Sequence, residues 1–176
     1  KHTAYVYPGL YPATSFGILA PLRTRYRDES VTIHPQPRGR AILLWADLSL
    51  ALPAGTRARI RTAAGTIAAE RVAGDLRLDT TNGAVTVRDG EGSLEIDTGS
   101  GSVEVRSHRG AIAADTGSGA VRLTDIEGDI RADTGSGAVW LSGIEGNVWA
   151  DTGSGSVRLT DVAGDVRADT GSGAIE

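Results

Sequence analysis

Residues 115–132 read DTGSGAVRLTDIEGDIRA, which is one complete 18-residue repeat of the chain. Its two nine-residue halves match, because each places Gly fifth, a β-branched aliphatic residue seventh and Arg eighth. A Gly-containing turn followed by alternating apolar and polar residues is typical of a short strand with one exposed face. The sequence therefore predicts a nine-residue unit of turn and strand, with two units in each 18-residue coil.

The pentapeptide DTGSG repeats along the chain at a fixed interval of 18 residues, without an insertion. Its copies begin at Asp97, Asp115, Asp133, Asp151 and Asp169. Weaker copies begin at Asp79 (DTTNG) and Arg61 (RTAAG). Uninterrupted repeats of this length indicate a solenoid, in which each coil packs on the next.

Alternation along each strand places the seventh and ninth residues of a unit inside and the eighth outside. The predicted inward columns from the first half of each coil are Val85, Val103, Val121, Val139 and Val157, then Val87, Val105, Leu123, Leu141 and Leu159. Those from the second half are Leu94, Ile112, Ile130, Val148 and Val166, then Ile96, Ala114, Ala132, Ala150 and Ala168. We predict an all-β, flattened parallel β-solenoid, right-handed because parallel crossovers almost always are.

Composition divides the chain near Pro53. All six Pro lie at or before this residue, and all four Tyr lie at or before Tyr26. We predict that residues 1–53 are a Pro/Tyr-rich segment with short strands, which caps one end, and that residues 54–176 are the solenoid. Within the first segment, the apolar alternation at residues 44–52 and the pair Val31 and Ile33 each predict a strand.

The DTGS sequence is also found in aspartic proteases, where two such loops bring two carboxylates together. Five copies spaced by one coil instead predict a row of Asp side chains along one edge, with a structural role and no catalytic residue. In this interpretation the Asp accepts hydrogen bonds from the backbone N–H groups ahead of it, and the Gly adopts a positive φ. Neighbouring carboxylates about 4.8 Å apart would repel by roughly 0.9 kcal/mol in water, so cation binding along the row is an alternative.

The nine-residue unit also invites comparison with the calcium-binding β-roll, whose repeat carries an Asp ligand. The corresponding positions here are Val121 and Ile130, so that mode of calcium binding is excluded. The three His (His2, His34 and His108) have no metal-ligand spacing, and the chain has no Cys for a disulfide or a thiolate site. We therefore predict neither a metal site nor a cofactor.

Trp140 and Trp149 both occupy the outward eighth position, in the two halves of one coil. Their predicted neighbours one coil away are Arg122 and Arg158 for Trp140, and Arg131 and Arg167 for Trp149. Cation–π contacts in these ladders would stabilise the register by about 0.5–1 kcal/mol each. The alternative is a candidate contact patch for a glycan or a protein.

The entry into the repeats, ADLSLALPAGTRARIRTAAGTI at residues 46–67, and the GDIRADTGSGAV-type repeats after it resemble a known family. It is the bacterial adhesin-like β-strand-repeat family, a domain of unknown function, and the resemblance covers residues 46–176. The resemblance implies a β-solenoid that is often exported or membrane-tethered, without an established enzymatic activity. It defines no functional residues.

These features predict a non-catalytic structural or adhesin-like module, exported to the surface or periplasm of a bacterium. The absence of Met suggests a processed segment whose signal peptide has been removed. The expected partners are a surface glycan or protein, or a second copy. A net charge of -4 disfavours nucleic acid, and no apolar run reaches the ~18 residues of a membrane helix.

Two alternatives remain. The first is self-assembly into a filament or array, because the chain stops at Glu176 within a seventh coil and an open solenoid end presents unpaired strand edges. The second is a glycan-binding or glycan-cleaving β-helix, of which the cleaving form would require clustered carboxylates in a cleft.

Overall fold

The structure is a computed structural model that describes residues 52–176 and the two short strands β1 (Phe16–Gly17) and β2 (Ala46–Asp47). β1 and β2 pair in parallel. The predicted cap, the strand at Val31 and Ile33, and the rest of the strand predicted at residues 44–52 lie outside the described residues, apart from Leu52.

Backbone contacts divide the chain into two units, Lys1–Pro53 and Ala54–Glu176. The described part of the second unit contains strands and turns but no helix. Its strands are β3 (Ala58–Ala64), β4 (Ile67–Glu70), β5 (Leu76–Asn82), β6 (Val85–Glu91), β7 (Leu94–Thr98), β8 (Val103–Arg109), β9 (Ile112–Thr116), β10 (Val121–Glu127), β11 (Ile130–Thr134), β12 (Val139–Glu145), β13 (Val148–Thr152), β14 (Val157–Ala163) and β15 (Val166–Thr170). We call the sheet of β3, β5, β7, β9, β11, β13 and β15 the odd sheet, and the sheet of β4, β6, β8, β10, β12 and β14 the even sheet.

Each strand inside a sheet pairs in parallel with the strand one coil before it and one coil after it, and the end strands β3, β4, β14 and β15 have one such partner. Val121 on β10, for example, lies between Val103 on β8 and Val139 on β12. The shift is 18 residues throughout both sheets, including the pairing of Arg61 with Asp79 in the degraded first repeat. The predicted flattened parallel β-solenoid of about six coils is thus confirmed, whereas its handedness stays a prediction.

The core is a thin layer of aliphatic side chains between the two sheets. Val121 and Leu123 from the even sheet and Ala132 from the odd sheet are 0% exposed, and Ile130 is 3% exposed. Burying a Val or Leu side chain contributes about 1.5–3 kcal/mol, and the contribution recurs in every coil. Stacking of like on like therefore stabilises the register as well as the fold.

The even-sheet strands β6, β8, β10 and β12 each have a third buried position, which simple alternation does not predict. The backbone of these strands is left-handed two residues after the second inward position, for example at Asp125 with φ of 56°. This residue interrupts the alternation, so that the next side chain, Ile126, is buried at 1% exposure. The buried column contains Ile126 and Ile144, with His108 and Gly90 in the earlier coils.

Candidate functional site

The DTGSG corner is built around its threonine. The Thr134 side chain is 1% exposed. Its hydroxyl donates a hydrogen bond to the carbonyl oxygen of Gly119 in the preceding coil (3.0 Å) and accepts one from the N–H of Gly137 in its own turn (3.0 Å). The same pair of hydrogen bonds forms at Thr98, Thr116 and Thr152. Each threonine hydroxyl therefore connects two successive coils.

The glycines of the corner are required by close contact between coils. A Cβ atom on Gly119 would lie 1.8 Å from the carbonyl oxygen of Gly101, and one on Gly117 would lie 2.4 Å from the carbonyl oxygen of Gly99. Both obstacles are backbone atoms, which cannot move aside without separating the coils. A side chain at either position is therefore excluded.

The predicted roles within the turn are wrong in two respects. The DTGSG glycines do not have positive φ; in the second half of each coil a different glycine does, such as Gly110 with φ of 129°. The turn N–H groups donate to the threonine hydroxyl rather than to the aspartate. The physical reason is position, because the strand alternation turns the threonine inward and the aspartate outward.

The aspartates form the predicted single row, which we call the Asp row. Its members are adjacent and in register: Asp97, Asp115, Asp133, Asp151 and Asp169. The corner serines also face solvent and follow the same spacing: Ser100, Ser118, Ser136, Ser154 and Ser172. Asp and Ser are thus the two residues of the pentapeptide whose side chains face solvent, although the Ser100 hydroxyl also donates to Asn82 of the preceding coil.

The electrostatics of this edge change along its length. Asp79, which precedes the row, has hydrogen bonds from Arg61 (2.9 Å) and Arg59 (3.3 Å), and the Arg61 guanidinium is the main cause of its lowered pKa. Within the row, partial burial raises the pKa of Asp115, and the neighbouring carboxylates of Asp133 and Asp97 raise it further. The predicted mutual repulsion is therefore present at Asp115.

Both predicted Arg–Trp ladders form, one on each sheet. Trp140 pairs with Arg122 and Arg158 on the even sheet, and Trp149 pairs with Arg131 and Arg167 on the odd sheet. In each ladder one arginine lies over the ring: the Cζ atom of Arg122 is 4.6 Å from the centroid of Trp140, and that of Arg131 is 3.4 Å from the centroid of Trp149. The candidate contact patch is therefore two patches on opposite faces.

The remaining arginine near Trp140 has a different partner. Arg158 donates hydrogen bonds through Nε (3.0 Å) and Nη2 to the carboxylate of Glu176 in the next coil. Arg122, by contrast, has no ion pair with any carboxylate among residues 52–176. The guanidinium of Arg122 therefore lies over the Trp140 ring, and no carboxylate of the described residues pairs with its charge.

His108 is a buried group that the sequence prediction did not single out. It is 3% exposed, its Nε2 lies 2.9 Å from the carbonyl oxygen of Gly92, and its Nδ1 has no partner. The ring occupies space left by Gly90, since a Cβ there would lie 2.5 Å from Nδ1. Burial lowers the pKa of His108. The 18-residue spacing is the sequence feature that could have identified this buried position, because it places His108 in register with Gly90 and Ile126.

Two shallow grooves run along the corner of the coils at which residues such as Asp125 have a left-handed backbone. One runs past Gly143 and is bordered by Asp125, Asp161, Glu127 and Glu145. The described residues contain no group of three or more His, Asp or Glu side chains placed to hold a metal ion. Within the same ranges there is also no helix with the length and apolar character needed to cross a bilayer.

The fold and these surfaces define a parallel β-solenoid repeat protein. Comparison of the chain with profiles of known protein families, with curated proteins and with solved structures finds no match. The resemblance to the adhesin-like repeat family therefore stays a prediction.

Proposed function

We propose that this chain is a non-catalytic structural and adhesive module of a bacterial cell surface. The observation that carries the proposal is the division of the coil: inward positions hold the core and the coil-linking threonines, while outward positions repeat in straight lines. A rigid body on which the same type of contact recurs at every coil suits multivalent binding to an extended partner. The sequence resemblance supports the exported location.

The arrangement of carboxylates supports a non-catalytic role. Glycoside and peptide hydrolysis use two carboxyl groups in different environments on opposite sides of one bond. In the Asp row each carboxylate instead has its like neighbours one coil away on the same edge. No pair within the row faces the other across a cleft, because all members lie along one line.

The proposal is tested by applying the purified protein to an array of bacterial and host-surface glycans and matrix proteins. Any glycan that is retained is then incubated with the protein while newly formed reducing ends are measured. We expect saturable retention without release of reducing ends. Release that disappears in an Asp133→Asn variant would contradict the non-catalytic role, and failure to retain any glycan or protein would contradict the adhesive one.

Self-assembly is a second candidate, favoured by one observation. Val166 is 47% exposed and Ile175 is 49% exposed, although the equivalent residues one coil earlier, Val148 and Val157, are 3% and 1% exposed. Core-type side chains at a strand edge are a template for another strand. A second copy of the chain that pairs with this edge would cover both side chains.

Sedimentation velocity across a wide concentration range tests this candidate. Self-assembly predicts a weight-average mass that increases with concentration, and a Val166→Lys variant that stays monomeric. Ser172→Lys adds the same charge at an outward corner of the last coil and should leave assembly unchanged. A monomer at every concentration for the unmodified protein would contradict self-assembly.

A further inference from the structure

The two tryptophans share one local arrangement but lie in different surroundings. Both are half-buried, and each has an arginine from the preceding coil over its ring. The neighbouring outward column, two residues further along each strand, distinguishes the two faces. Beside Trp149 it contains Asp133, Asp151 and Asp169, whereas beside Trp140 it contains Thr124, Ser142 and Thr160.

The charges near each ring follow from these columns. On the odd sheet, Arg131 lies 4.0 Å from Asp133, so the cation over Trp149 has a carboxylate beside it. On the even sheet, the cation over Trp140 is Arg122, which has no ion pair among the described residues. Thr124 lies beside it on the strand, and its in-register neighbour in the preceding coil is Glu104, whose carboxylate is paired with Arg106. The even face therefore offers an unpaired guanidinium, an indole ring and hydroxyls, while the odd face adds a row of like negative charges.

From this difference we propose that the even-sheet face around Trp140 binds a polysaccharide that carries carboxylate groups; the proposal rests on the adhesive function proposed above. The planar fork of Arg122 matches a carboxylate in a bidentate geometry. The hydroxyls of Thr124, Ser142 and Thr160 both donate and accept hydrogen bonds, as the hydroxyls of a sugar require. The exposed part of Trp140 that Arg122 does not cover supplies apolar area against a sugar ring.

The direction of the ladder favours an extended polymer over a single sugar. Arg122, Trp140 and Arg158 lie on successive strands, which are about 4.8 Å apart. A polymer lying along the solenoid axis would meet the unpaired cation of Arg122, the Trp140 ring and then Arg158, whose charge is already paired with Glu176. The odd face opposes the same ligand, because its Asp row repels carboxylates at short range.

The net charge of -4 acts against any polyanion at long range. The attraction between Arg122 and a ligand carboxylate must therefore outweigh the repulsion between the ligand and the net negative charge of the protein. Salt at 0.1 M largely screens the part of this repulsion that acts over more than about 10 Å. For this reason we expect binding to weaken less with salt than it does for proteins that attract polyanions through net positive charge.

The test uses the whole chain and an oligogalacturonate of at least six sugars, with a neutral galactan oligomer for comparison, in calorimetric titrations. We expect binding of the uronate, and a dissociation constant raised about tenfold or more by Arg122→Ala and by Trp140→Ala. Arg122→Lys should recover only part of the loss, since it keeps the charge but not the fork. Trp149→Ala is the matched variant on the odd sheet and should change the constant by less than about twofold.

Several outcomes would overturn the assignment. An equal loss in Trp149→Ala would place binding elsewhere, and equal affinity for the neutral galactan would remove the role of the carboxylate. Equal affinity for single-stranded DNA would show a general polyanion site rather than a carbohydrate site. Urea unfolding of each variant separates loss of binding from loss of fold. If uronate is not bound but other glycans on the array are, this inference fails while the adhesive function stands; if nothing is bound, both fail.

Discussion

At each of the five DTGSG corners, one threonine hydroxyl joins two coils of the solenoid. The Thr134 hydroxyl satisfies a carbonyl of the preceding coil and an N–H of its own turn, both buried. Leaving a buried polar group without a partner costs about 1–3 kcal/mol. The threonine of DTGSG is thus a structural residue, whereas the protease comparison would have made the aspartate the central one.

The threonine is tested by Thr134→Val, which keeps the shape of the side chain but removes the hydroxyl. We expect the free energy of unfolding to fall by about 2–4 kcal/mol, because the Gly119 carbonyl and the Gly137 N–H both lose their partner. Urea unfolding followed by circular dichroism measures the change. Thr160→Val, at an exposed position of β14, is the control and should change stability by less than about 0.5 kcal/mol.

The corner glycines are tested by Gly119→Ala. The added methyl group would meet the Gly101 carbonyl oxygen, so the two coils must separate at that corner. We expect a loss of more than about 3 kcal/mol, or failure to fold. Ser118→Ala, one residue earlier and exposed, should be close to neutral. Similar urea midpoints for the two variants would contradict the close packing of the corners.

His108 makes the stability of the solenoid depend on pH. Its pKa is lowered from 6.5 by burial, since its Nδ1 has no acceptor for a second proton. The unfolded chain therefore takes up the proton first as the pH falls. The contribution of neutral His108 to the free energy of unfolding is therefore complete above about pH 6.5. It decreases as the pH falls below 6.5 towards the lowered pKa of His108 in the folded state.

We therefore expect the urea midpoint to decrease between pH 7.5 and pH 5. In a His108→Ile variant, which places at this position the residue found at 126 and 144, the decrease should be smaller. The carboxylates are common to both proteins, so the difference between the two pH profiles isolates the imidazole. Identical profiles would show that His108 is not the group that titrates.

At the level of the structural element, stacking of the strands places like charges next to one another in outward rows, and these charges repel. Asp115 lies between Asp97 and Asp133, and its raised pKa shows that its charged form is disfavoured. At neutral pH, Asp115→Asn should stabilise the protein by up to about 1 kcal/mol at low salt. The gain is present above the raised pKa, and it disappears as the pH falls below 3.8, where the carboxyl is protonated in both states.

The control for this prediction is Asp161→Asn. Asp161 is exposed, has left-handed backbone that Asn also adopts, and lies one coil from Gly143 rather than from another acid. It should change stability little at any pH. The difference between the two variants should shrink in 1 M salt, because repulsion between exposed charges is then screened.

The sequence predicted those features of the strands that depend only on the repeat period of the side chains. The 18-residue spacing gave the strand register and both Arg–Trp ladders, since stacking like on like leaves one alignment. It did not predict that Ile126 and His108 point inward, because counting by twos fails across a left-handed residue such as Asp125. The spacing also did not predict that the threonine hydroxyl links two coils, because a turn motif does not show which of its polar side chains is buried.

At the level of the whole molecule, the solenoid is a one-dimensional object. Each coil contacts only its neighbours, so its stability is approximately a sum of coil and interface terms. The same geometry repeats every outward contact at the spacing between strands. The proposed adhesive function uses this property, because a line of equivalent contacts can bind an extended polymer where one contact would be too weak.

Successive DTGSG corners lie directly over one another, one coil apart, and the solenoid depends on this stacking. Pairs of nitroxide spin labels test it most directly, because the chain has no Cys of its own and the corner serines are exposed. With one label at Ser100→Cys and the second at Ser118→Cys, Ser136→Cys, Ser154→Cys or Ser172→Cys, the distance should increase by about 4.8 Å per coil. Distances that do not increase steadily with the number of intervening repeats would contradict the stacked-coil account.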